Sequence, residues 1–226
     1  MALLSGSVDR VAHNARVTAH PRVYAGRSAE QRASERRRRL LDAAFDIWGN
    51  QGWAAVTMRG VCAQAGLIDR YFYESFADRE ALLVQVWDEV RDQVVVHVTA
   101  AFAETANLTV SEQLRAAVSA LVQYLVDDPA RARIALGDHA GSAVLEQRRQ
   151  QTLLLATEIL LGVARPRLRA DVDEKALRMT TMLGIGGFFE LIVAWHAGLL
   201  EATPEELIEH ASTVGSKLAA DYVTDR

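Results

Sequence analysis

The sequence predicts an all-α chain of about nine helices, a small N-terminal unit followed by a larger one, and three observations carry that expectation. Apolar residues recur at the helical period from Ser34 almost to the end of the chain. No stretch of useful length alternates apolar and polar residues as a half-buried strand does. The four prolines fall outside the helical runs or at their edges. With 226 residues, 50% hydrophobic and 24% charged, the chain has material for a real core and fits neither a disordered nor a fibrous protein.

Residues 1–27 have no helical period, contain Gly6, Pro21 and Gly26 among scattered arginines, and read as a flexible arm. From Ser34 onward, Leu40, Leu41, Ala44, Phe45, Ile47 and Trp48 share one face of a first helix, which Gly49, Asn50 and Gly52 are expected to end. Thr57 opens a short helix carrying Met58, Val61, Cys62 and Ala65, Gly66 breaks it, and a second short helix follows over 69–75. Asp78 caps a long amphipathic helix with Glu80 in its first turn and Leu82, Leu83, Val86, Trp87, Val90, Val94, Val98, Ala101 and Phe102 on its apolar face. Ser111 or Thr109 opens the next helix, Pro129 starts another, and residues 145–163 form a longer one ending near Pro166. Residues 171–200 are nearly continuously apolar in their second half, and Pro204 stands in the first turn of the last helix. The expected division is an arm over 1–27, a small unit over 28–80 and a larger helical unit over 81–226.

The net charge of −4 conceals an asymmetry: residues 1–85 hold 12 Arg against 9 acidic groups, and residues 86–226 hold 13 basic against 20 acidic groups. Seven arginines against two glutamates fall within 22–40, and a basic segment on an otherwise acidic chain is expected to meet a polyanion. A solvated helix start is the plainer reading of the same run. The single cysteine, Cys62, excludes an intramolecular disulfide framework and a cysteine zinc site, and a reducing compartment fits best. The longest apolar run, 179–189, stops after eleven residues at Glu190, short of the roughly 20 a membrane span needs. The first residues lack a secretory apolar region, so a cytoplasmic protein without a membrane partner is expected.

Two short helices joined by a tight turn match the helix-turn-helix that places a recognition helix in the DNA major groove. Cys62 and Ala65 supply the small side chains where the helices cross, Gly66 takes the positive φ of the turn, and Val61, Leu67 and Phe72 point inward. The run T-M-R-G-V-C-A-Q-A-G-L-I-D-R-Y-F-Y-E-S-F-A-D-R-E-A-L-L, preceded by E-R-R-R-R-L-L-D-A-A, resembles the DNA-binding domain of TetR-type transcriptional repressors, with Ala65-Gly66, Tyr73, Phe76, Arg79-Glu80 and Leu82 at the family's spacing.

That resemblance implies double-stranded DNA with a palindromic operator as partner. Thr57 would offer its hydroxyl and backbone N–H groups to a phosphate, Arg79 its charge and Tyr73 its phenol, with Arg37 and Arg38 also toward the DNA. Arg70 and Tyr71 are the candidates for reading base edges, Arg70 bidentate to guanine, and Arg59 is within reach of the groove. Ile68 stands where the family carries Ser or Thr, so Asp69 is expected to take over as N-cap, and Ser75 replaces a larger His or Tyr. The arm arginines Arg10, Arg16, Arg22 and Arg27 are candidates for a minor groove, against a plain extension.

For the larger unit the resemblance implies dimerisation and ligand sensing. Gly184, Gly186 and Gly187 permit close helix approach, and Ile208, Ala211, Val214, Leu218 and Tyr222 line one face of the last helix, so the last two helices are the expected homodimer interface. Core burial within one subunit is the alternative. Trp87, His97, Phe102, Tyr124, His139, Phe188, Phe189, Glu190, Trp195 and His196 mix aromatic and polar groups on apolar faces and are the candidates for a cavity holding a small hydrophobic effector. Each also reads as ordinary core. No H-E-x-x-H, G-x-S-x-G or G-x-x-x-x-G-K occurs, and Glu190 and His196 cannot converge on one metal from a single helix, so no enzyme, metal or cofactor is expected. The expected function is a ligand-released repressor; the alternative is a helix-turn-helix adaptor that binds protein without sensing a ligand.

Overall fold

The structure is a computed structural model and describes residues 28–137, 139 and 141–224; the arm arginines lie outside these residues. The described residues form nine α-helices: α1 (Ala29–Gln51), α2 (Met58–Ala65), α3 (Asp69–Ser75), α4 (Arg79–Glu104), α5 (Val110–Val126), α6 (Pro129–Leu136), α7 (Ala143–Ala164), α8 (Glu174–His196) and α9 (Pro204–Ala219). Their only β pairing is an isolated bridge between Leu168 and Val223.

Local chemistry sets most of the boundaries. Thr57, Asp78 and Thr109 each accept a bond from the backbone at the start of their helices, and Thr109 closes a capping box with Glu112. Three boundaries differ from the sequence reading. α1 begins five residues before Ser34, because Ser28 and Gln31 form a capping box whose polar first turn has no apolar period to announce it. Gly49 does not end α1: the helix runs on to Gln51, and Gly49 is where α6 crosses it, since a Cβ there would lie 2.3 Å from that of Ala130. Asp69 is not the N-cap of α3. Ile68 holds that position without a side-chain bond, and Asp69 is the first helical residue, its carboxylate favourable at a helix start through charge alone.

Two apolar cores result. The first gathers Leu40, Trp48, Val61, Phe72, Leu82 and Val86 with Ile134 and Leu145 of α6 and α7. The second joins Val122 and Leu125 of α5 to Ile192 of α8 and Leu207 of α9. Ile208, expected at a dimer interface, is 5% exposed and packed inside this second core, because the stripe of α9 faces α5 along its first turns. Helix α4 touches both: its first turns, through Val90, close the first core, and Val94 packs against the second. One described helix, α8, is by length and composition apolar enough to cross a membrane, yet it packs against α7, α9 and α6.

Candidate nucleic-acid interface and effector cavity

The turn between α2 and α3 has the geometry its sequence demands. Gly66 has φ +62°, a left-handed conformation that disfavours any side chain, and the N–H of Leu67 returns to the carbonyl of Cys62 at 2.9 Å. Phe72 is buried, so α3 turns the rest of its short surface outward: Asp69, Arg70 and Tyr73 are exposed, while Tyr71 and Ser75 are half-buried. Arg70 pairs with Glu74 one turn on at 2.8 Å, an exposed pair that costs little to open. Thr57 is exposed beside α3 and accepts from the N–H of Gly60 at 3.1 Å; Arg59 is exposed on the same short helix.

The arginines of α1 do something else. Each of the four consecutive guanidiniums, Arg36 to Arg39, holds a different part of the unit. Arg36 lies over the ring of Tyr71, 4.3 Å from its centroid, and 3.7 Å from Glu74. Arg37 donates to the carbonyl of Ser75 at the end of α3 and to Gln85 of α4 at 2.9 Å, with its plane over Phe76. Arg38 joins Asp42 at 2.7 Å and Glu89 of α4 at 2.8 Å. Arg39 donates to the carbonyl of Ala65, an otherwise open acceptor at the end of α2. Arg79 is likewise occupied, donating to the carbonyls of Val56 and, at 2.6 Å, Trp53. The four consecutive arginines are thus a set of clamps. Arg37, Arg38 and Arg79, expected at phosphates, also bond within the protein, Arg37 and Arg79 through part-buried contacts and Arg38 through exposed ion pairs, and Arg36 and Arg39 are clamps that charge counting could not distinguish from a solvated patch.

A cavity of about 760 Å³ lies between α4, α5, α7 and α8. Of the residues expected there, Trp87, Phe102, His139, Phe188, Phe189, Glu190 and His196 line it. Tyr124 does not: its hydroxyl donates to Gln93, its ring stacks on His97 with centroids 4.3 Å apart, and Arg131 lies over it at 3.9 Å. His97 is exposed beyond that stack and also lies outside the cavity. Trp195 is turned toward the loop before α9, donating to the carbonyl of Ala202 at 2.8 Å. Most of the remaining wall is aliphatic, including Val94, Val98, Leu121, Ile159 and Leu160, and these plain core-like residues carried no sequence signal of a void. Partial desolvation on the cavity side, and the nearby charge of Arg133, hold the His196 imidazole below its usual pKa, although the residue as a whole is exposed. His139 is buried against the first core, 5.9 Å from the ring of Trp48 and 4.7 Å from that of Trp87, both edge-on.

Outside the cavity, α8 and α9 present apolar groups to solvent. Leu183 is 75% exposed, and Met179, Val214 and Leu218 are exposed as well. Gly184 lies against α9, a Cβ there falling 3.2 Å from Leu218, whereas the surface above Gly187 is open. Ala211 and Tyr222 are half-buried, the latter bonded to Thr180 at 3.0 Å.

Residues 40–86 match a family model described as bacterial regulatory proteins, tetR family. No curated protein matches the chain. Among solved structures, the fatty acid degradation regulator FadR from Bacillus halodurans is similar with a TM-score of 0.63 at 17% identity, covering 79% of this chain and 93% of that one. The transcriptional regulator FadR from Bacillus subtilis, solved in complex with stearoyl-CoA, gives 0.59 at 17% identity over 80% of this chain and 96% of that one. A TetR family regulator from Marinobacter aquaeolei gives 0.57 at 21% identity over 87% of this chain and all 100% of its own. At such identities the likeness is one of fold.

Proposed function

We propose, from the premise that this chain belongs to the TetR-type regulators, that it is a homodimeric repressor released from a palindromic operator by a small, largely apolar effector. The observation that carries the reading is the continuity of α4, which starts beside the helix-turn-helix and whose middle turns wall the cavity. A ligand that favours one position of α4 biases the spacing of the two recognition helices and so DNA affinity. Arg70 and Tyr73 on α3, with Thr57 and Arg59 at the start of α2, are exposed and positioned to meet DNA. Tyr71 and Ser75 flank them, and Asp69 sits at the helix start.

The dimer follows from what one subunit leaves uncovered. An apolar window of α8 has only 17% of its residues buried, and exposed Leu183, Met179 and Leu218 invite a second copy across a two-fold axis. The soluble, cytoplasmic setting of DNA agrees with this use of α8.

The deciding experiment is retention of the DNA flanking the protein's own gene, with unrelated DNA as competitor. Specific retention supports the regulator; its absence favours a second reading, an adaptor, to which Ile68 points because it is 62% exposed where a hydroxyl would touch phosphate.

A further inference from the structure

The charged groups of the cavity all lie at one end. On α4, Arg91 comes first and is followed into the bundle by Val94, Val95, Val98 and Phe102. On α7, Glu146 and Arg149 precede Leu153, Ala156 and Ile159. Helix α8 runs the other way, from Ile185 and Gly186 to Glu190 and His196, and Glu190 lies within the electrostatic reach of Arg149. The end near the DNA-binding unit is polar, and the far end is wholly apolar.

The cations at the polar end are already neutralised. Arg149 makes two bonds to Glu146, at 3.1 and 2.9 Å, and Arg91 reaches Asp88 at 2.6 Å and Asp92 at 2.7 Å. Arg149 in turn holds the Glu146 carboxyl below the usual carboxylate range. The carboxylate of Glu190, by contrast, has no hydrogen bond or ion pair among the described residues. Phe188, Phe189 and Trp87 line the same cavity. An anionic head would have to break the bonds of Arg149 or Arg91 and then face Glu190. A cationic head neutralises Glu190 and leaves the bonds of Arg149 and Arg91 intact.

We infer that the cavity takes an elongated apolar cation, its ammonium end beside Glu190 and its hydrocarbon body directed toward Ile159 and Phe102. The inference rests on the reading of this cavity as the effector site. It also separates the chain from the B. subtilis FadR, whose bound stearoyl-CoA is an anion.

Calorimetric titration of the full chain, at fixed salt, with decyltrimethylammonium, decanol and decanoate tests it, because the three share one chain length and differ in head charge. The ammonium is expected to bind about tenfold more tightly than decanoate. Glu190→Gln should erase that preference while leaving decanol binding unchanged; the side chain is exposed, so the variant is expected to fold. Equal or tighter binding of decanoate, or a preference that survives Glu190→Gln, overturns the inference and leaves the cavity reading standing if decanol binds. Failure of all three to bind overturns the effector site itself and the inference with it.

Discussion

The guanidinium of Arg79 lies 5.2 Å from the ring centroid of Trp53 and donates to that residue's carbonyl at 2.6 Å, so the first residue of α4 fastens the turn leading into α2. That turn ends at Val56, whose carbonyl the same guanidinium also engages, and Thr57 follows directly. The position of a group poised for phosphate therefore depends on an arginine committed elsewhere.

Arg79→Ala leaves two carbonyls without their donor and is expected to cost about 1–3 kcal/mol of stability. DNA binding falls through misplacement of α2, so the slope of affinity against salt stays as in the parent. Loss of a direct phosphate contact would lower that slope by about one. Denaturant unfolding and a salt titration distinguish the two.

Arg70→Ala acts differently in kind. The side chain is exposed and held only by Glu74, so stability should move by less than about 0.5 kcal/mol. Discrimination at one base pair per half-site should fall by about 1–3 kcal/mol, read by binding to operators altered one position at a time. Parallel loss on specific and unrelated DNA would remove Arg70 from base reading.

Gly66→Ala should destabilise the fold by about 1–2 kcal/mol, the cost of a left-handed residue that carries a Cβ. The new Cβ would also sit 3.1 Å from the Arg39 guanidinium and press on the clamp at the end of α2. A melting temperature equal to the parent's would contradict both effects.

Leu183→Glu places a charge on the exposed apolar face of α8 and should convert a dimer to a monomer in sedimentation at micromolar concentration, with circular dichroism unchanged. A dimer that survives this substitution and Leu218→Arg together lies on another surface.

The His196 imidazole should titrate below the usual histidine value of about 6.5, because partial desolvation disfavours its charged form. The sign follows from linkage: the unfolded chain binds this proton more readily, so folding stability rises with pH across the window between the lowered and the ordinary value. Below that window the contribution is lost. An apolar ligand that dries the cavity lowers the pKa further, which NMR titration of the ring protons measures. A value at or above the ordinary one would refute the partial desolvation of this ring.

How far these residues could be read in advance depended on how local their partners are. Thr57, Gly66 and Asp78 announce themselves because the backbone groups they satisfy lie within a turn, and the helices they bound are where the sequence places them. Arg37 and Arg39 bond carbonyls of Ser75 and Ala65, far along the chain, and nothing in a run of like charges reveals such acceptors. Tyr124 and Trp195 show the same limit from the apolar side. An aromatic residue on a helix face is consistent with core, cavity or surface stack until its neighbours are placed, and Gln93, Arg131 and Ala202 placed them away from the void.

The 26 residues of α4 make a rod about 39 Å long. A rigid rod of that length is a lever: tilted by about 5° about one end, it carries the other through about 3.4 Å, the rise between neighbouring base pairs. Hydrocarbon entering between α4 and α7 therefore needs to move the wall by no more than a methyl group's width for a recognition helix fastened to the far end to fall one step out of register. Two such levers, related by a dimer axis, would err in opposite directions along the duplex and double the mismatch.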